Sequence, residues 1–116
     1  MRFDNDLHDW YVDGVMLGDR SLSLCIRFYE KNMTIKLSGV SRCLINDFLV
    51  QNIISEAKVV STAHFPKVFE EKMRQLDKSY PRKWAAPMGT QILTIDASVG
   101  AEIVVEFADL EILDTP

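Results

Sequence analysis

Apolar residues fall at every second position from Trp10 to Leu37, and a chain with that period must build half-buried strands rather than helices. Leu22, Leu24, Ile26 and Phe28 form one face of a strand, with Ser23, Cys25 and Arg27 on the other. Met33, Ile35, Leu37 and Gly39 repeat the pattern against Thr34, Lys36 and Ser38. The two runs must pair as a hairpin with their apolar faces together, because a slip of one residue would set each apolar side chain opposite a polar one. The expected pairs are Phe28 with Met33, Ile26 with Ile35 and Leu24 with Leu37, around a turn of Glu30, Lys31 and Asn32.

A preceding strand, Trp10 to Leu17, joins through Gly18, Asp19 and Arg20. Trp10 and Val12 are out of phase with Val15 and Leu17, and one inserted residue at Asp13-Gly14 restores the phase, so a β-bulge is expected there. Between Val40 and Val60 the apolar residues fit either period. A loop turning at Asn46-Asp47 and then a strand between Leu49 and Val60 is the expectation.

The period changes at Pro66. Phe65, Phe69, Met73, Leu76 and Tyr80 recur at three and four residues, which predicts a helix over 66–79, opened by Pro66 and stopped by Pro81. Glu70 and Arg74 stand four apart in the favourable order, and Lys78, Arg82 and Lys83 complement the C-terminal end of the helix dipole. Alternation then returns in Gln91 to Asp96. Ala101, Ile103, Val105 and Phe107 follow after a connection ending in Gly100, and Leu110 to Leu113 make a last short strand. The expected architecture is one α+β domain over 1–116. It holds a curved antiparallel β-sheet or small β-sandwich of six or seven strands, with one principal helix covering a face or an opening.

Composition sets the outer limits. With 47% hydrophobic and 26% charged residues the chain reads as globular, and at 116 residues it can bury about two thirds of its unfolded surface without staples. Thirteen Lys and Arg against seventeen Asp and Glu give −4, the wrong sign for a nucleic-acid binder. No apolar run approaches ~18 residues and the aspartate-bearing start is unlike a secretory signal, so a cytoplasmic protein that does not enter a membrane is expected. Cys25 and Cys43 lack metal or disulfide spacing, so two free thiols and no cofactor are expected.

His8 and Asp9, with His64, supply the residue types of a catalytic or metal site. Neighbours on a strand point to opposite faces, so His8 and Asp9 converge only if a turn separates them. Ala97-Ser98-Val99-Gly100 lacks a nucleophile-elbow frame. Interface anchors are the other option: Tyr11 on the outward side of its strand, Trp84 in a Pro-containing loop, and Glu102 and Glu106 on the outward face of a strand. The last two belong to a stretch, 96–116, that holds six acids and no Lys or Arg.

Leu7-His8-Asp9-Trp10 leading into a bulged strand, and LTIDASVGAEIVVEFADLEI from Leu93 to Ile112, resemble a group of small bacterial β-rich domains, some of which resemble immunity proteins of polymorphic toxin systems. That resemblance implies an antiparallel fold and a protein partner, and it carries over no functional residue. The favoured function is a protein-binding module that meets a basic partner, such as a toxin, through an acidic sheet face around Glu102 and Glu106. The alternative is a small hydrolase or metal-dependent enzyme using His8, Asp9 and His64. A homodimer built on Trp84 or on the exposed side of Val104 is the expected form of self-association.

Overall fold

The computed structural model describes residues 7–63, 66–81 and 89–115, in the order β1 (Tyr11–Gly18), β2 (Ser21–Phe28), β3 (Lys31–Ser38), β4 (Arg42–Asn46), β5 (Ile53–Ser61), α1 (Glu70–Ser79), β6 (Gln91–Val99), β7 (Glu102–Phe107) and β8 (Asp109–Thr115). One turn of 3-10 helix, Lys67–Phe69, leads into α1. All eight strands belong to one antiparallel sheet of order β4-β7-β6-β5-β1-β2-β3-β8. The class is α+β, as the alternation and the single helical segment imply.

Eight strands exceed the six or seven expected, and two bends account for the difference. β3 runs into β4 through Gly39, whose φ of 65 suits glycine, and β7 runs into β8 through Ala108. β3 pairs with β8 and β4 pairs with β7, so one bent strand follows another along its whole length. Ser41 N donates to Glu106 O and Ala108 N to Ser38 O, which carries the ladder through the bends. Counted through these bends, six continuous strands run around a single interior. Closure removes the long free edges that an open sheet of this size would expose.

The ring meets itself where β1 touches β5. Tyr11 pairs with Ile53, Val12 N donates to Asn52 O, Ile54 N donates to Trp10 O and Asp9 N donates to Ile54 O. Inside lie Leu22, Leu24, Ile26, Ile35, Leu37, Ile54, Leu93, Ile95, Ile103, Val105 and Phe107. Each comes from the inward phase of its strand, so the two-residue period does the sorting.

The bulge falls where the phase break puts it, between Val12 and Gly14. The β2–β3 register differs from expectation by two residues: Leu24 faces Ile35, Ile26 faces Met33 and Phe28 faces Lys31. A shift of two preserves which face each side chain occupies, so the hydrophobic pattern could not detect it. The turn is tighter than expected, with Tyr29 taking the left-handed conformation at φ 55. Within 40–60 the structure holds two strands, β4 and β5, joined by a connection in which Asp47 is left-handed at φ 60.

The helix begins as a 3-10 turn and becomes α-helical from Glu70. It lies on the outer face of the sheet, where Leu76 and Met73 pack with Ile92, Val104, Leu44 and Val60. Arg74 pairs with Glu71 rather than with Glu70. No helix among the described residues is long and apolar enough to cross a membrane.

Gly100, at φ 86, turns β6 into β7, and a β-carbon there would sit 2.3 Å from Asn52 Oδ1 and 2.6 Å from Gln51 O. Gly89, at φ 88, has open space where its β-carbon would go. The two glycines separate strain from crowding. Gly89→Ala is expected to cost about 1 kcal/mol, from the left-handed backbone alone, and Gly100→Ala about 2–4 kcal/mol because crowding against a buried side chain is added. Urea unfolding of the two variants measures the difference, and equal costs would contradict it.

Candidate functional site

Where β1 and β5 meet, the outward phase of the strands assembles a surface around Tyr11. Arg27 stands across from Tyr11 in the β1–β2 ladder and lays its guanidinium over the Tyr11 ring, 4.6 Å from the centroid. Asp13 holds that guanidinium from the other side, with Nε donating to Oδ2 at 2.8 Å and Nη2 to Oδ1 at 3.3 Å. The paired carboxylate raises the Arg27 pKa still further, through the hydrogen bond first and its charge second. A planar cation held by a carboxylate and stacked on a ring is fixed before anything binds.

Next to it, Phe28 stacks on Trp10 at 5.5 Å and meets Tyr29 edge to face at 4.6 Å, and Tyr29 is 80% exposed. Asp9, Tyr11, Arg27, Phe28, Tyr29 and Ile53 line a cleft of about 350 Å³. Tyr, Trp and Arg in one patch is the residue chemistry of a binding hot spot. Trp10 itself is in the core, stacking its ring beneath the cleft.

The other sequence candidates are placed as follows. Glu102 is exposed at the start of β7, opposite Asn46. Glu106 is not on an exposed face: it is 1% exposed, beneath α1. The expected acidic sheet face around Glu102 and Glu106 is therefore corrected to Glu102 alone. Both residues have the outward phase of β7, but the helix covers the sheet at Val104 and Glu106 and leaves Glu102 beyond its reach. Val104 is buried for the same reason, which removes it as a dimer contact. His64 and Trp84 lie outside the described residues.

His8 and Asp9 do come together, in a turn that places Asp9 at φ 69 with His8 Nδ1 3.4 Å from Asp9 Oδ1. Both side chains are largely in solvent. Among the described residues no three His, Cys, Asp or Glu side chains gather as a metal site would require. Cys25 and Cys43 are free thiols, and burial pushes the Cys43 thiol up.

Under α1, Glu106 takes part in a buried network. Its carboxylate accepts from Arg42 Nε at 3.2 Å, Arg42 Nη2 at 3.0 Å and Ser41 Oγ at 2.6 Å. Arg42 Nη1 donates onward to Asp77 Oδ1 at 2.7 Å and to the Tyr80 carbonyl at 2.8 Å, at the end of the helix. Lys72 reaches Asp96 on β6. The charges tie the helix to the sheet. No sequence signal separated Glu106 from Glu102; the basic partner, Arg42, lay in the segment whose period was ambiguous.

A comparison with protein-family models, with curated proteins and with solved structures finds no match to this chain.

Glu106→Ala leaves the buried Arg42 charge with only the exposed Asp77 carboxylate and the Tyr80 carbonyl as partners and is expected to lower stability by about 3–5 kcal/mol, whereas the pair Arg42→Met with Glu106→Leu recovers most of it. Denaturant titration of both variants decides this, and a mild cost for the single change would refute the buried pair. Because burial disfavours the Cys43 thiolate, Cys43 in the folded protein should react with iodoacetamide at pH 8 more slowly than glutathione does. Mass spectrometry of the labelled site gives the rate, and a rate matching glutathione would show an open, ionised thiol.

Proposed function

We propose that the chain is a protein-binding module that recognises a basic protein, as an immunity protein meets its toxin in the bacterial cytoplasm. The observation that carries the reading is the Tyr11–Arg27–Asp13 assembly beside the Tyr29 cleft. It is rigid and partly apolar, and its surroundings carry more acid than base. Asp9 borders it and Glu102 lies past the Asn52 turn, while Arg27 and Asp13 match each other. Acidic residues at the rim speed encounter with a cationic partner, and the desolvated aromatic centre holds it. The net charge of −4 acts in the same direction.

The reading specifies its own partner, since an immunity gene stands beside the gene of the toxin it neutralises. With that neighbouring protein as ligand, Glu102→Lys is expected to slow association several-fold at low salt, with the effect fading as salt rises. Tyr11→Ala is expected to speed dissociation by about tenfold or more. Surface plasmon resonance separates the two rates. A neighbouring toxin that fails to bind, or that binds both variants as it binds the parent chain, would overturn the reading.

A further inference from the structure

Three consecutive apolar side chains, Phe48, Leu49 and Val50, stand exposed in the connection from β4 to β5, with Val50 at 107% of its reference area. Single exposed apolar residues are ordinary, but an exposed run of this length invites nonspecific association unless something occupies it. The tip is also held in place. Leu49 N donates to Asn52 Oδ1 at 2.9 Å and Asn52 Nδ2 donates to Leu49 O at 2.8 Å, so both backbone groups of Leu49 are bound to one buried side chain. Asn52 Oδ1 also accepts from Ala101 N at 2.9 Å, which fixes the tip to the β6–β7 turn. Gln51 Nε2 reaches the Tyr11 hydroxyl at 3.4 Å, which places the tip beside the cleft.

The charges around the tip are acidic. Asp47 precedes it, Glu102 pairs with Asn46 one residue earlier, and Asp9 lies beyond Tyr11, where Arg27 is matched by Asp13. We propose that Phe48, Leu49 and Val50 form the apolar anchor of the partner surface, seating in an apolar recess of a protein whose rim carries Lys and Arg. This rests on the reading above and adds the anchor to it. A second copy of this chain would bring Asp47 and Glu102 against their own likenesses, and an anionic membrane would meet the same repulsion. Because the tip is ordered in advance, little conformational freedom is lost when it docks.

The test uses the full chain, isotope-labelled for NMR, and two peptide probes: oligolysine, and an amphipathic helical peptide of leucine and lysine whose apolar strip is bordered by lysines. Oligolysine is expected to bind weakly. The leucine-containing peptide is expected to bind about tenfold tighter or more and to shift the resonances of 47–52. Phe48→Ser with Val50→Ser should remove that gain and leave oligolysine binding unchanged. Equal affinity for the two peptides, or a gain that survives the double variant, overturns the anchor and leaves the basic-partner reading standing. Failure of both peptides to bind overturns that reading itself. Dimerisation, or binding to neutral phosphatidylcholine vesicles, that the double variant abolishes would assign the tip to a second copy or to lipid and overturn the protein recess.

Discussion

The carboxamide of Asn52, 2% exposed, is the point on which the closed ring depends. It accepts from Leu49 N and Ala101 N and donates to Leu49 O and, at 3.5 Å, to Val12 O. Those partners belong to β1, to the β4–β5 connection and to the β6–β7 turn, which is where the ladder has fewest bonds of its own. An amide can serve two donors and two acceptors at once, and no other uncharged side chain of that size can. The seam between β1 and β5 is short, with one ladder pair and backbone bonds from Val12 N, Ile54 N and Asp9 N, and the Asn52 side chain supplements it by tying the neighbouring connection and turn to the same place. Gly100 belongs to the same arrangement, since any β-carbon would displace the amide from its place.

A second polar node holds the helix. Hydrophobic contact alone would let α1 slide along the sheet, because Leu76, Met73, Ile92 and Val104 offer no directional preference. Arg42 fixes the register by bonding Glu106 below and Asp77 and the Tyr80 carbonyl above. A buried ion pair of this kind adds little net stability, since desolvation offsets most of the attraction. Its contribution here is positional: one end of the helix is bound to one strand. Asp77 is itself largely exposed, so the outer link of the chain is the weaker one.

Much of this fold was legible in the sequence because one face of each strand is buried and the period of two records which. The bulge at Asp13-Gly14 and the inward phase of Leu22, Leu24 and Ile26 follow from that record, and α1 follows from the three-and-four spacing within the expected 66–79. The β2–β3 register did not, since a shift of two residues leaves every face unchanged and only the turn decides it. Nor did Glu106. Its phase gave its direction correctly, but whether an outward residue meets water depends on what else packs there, and a helix 27 residues or more away in sequence is invisible to local pattern. Tyr11 was legible as outward, while its partner Arg27 read only as the polar side of a strand. Cross-strand pairing brought the two together, and that required the bulge to be counted.

The same nodes explain why the corner at Tyr11 suits recognition better than the rest of the surface. Loops usually surrender order to reach a partner, and binding must then restore it. Here the β4–β5 connection has no strand ladder, yet its middle residue is bonded at both backbone groups to a buried amide. Arg27 is likewise fixed by Asp13 and by the Tyr11 ring rather than left free in solvent. Rigid aromatic and guanidinium groups lose little freedom on contact, so a modest patch can hold a partner tightly. The interactions that close the ring therefore also prepare the surface beside the closure, and a change at Asn52 would be felt in both.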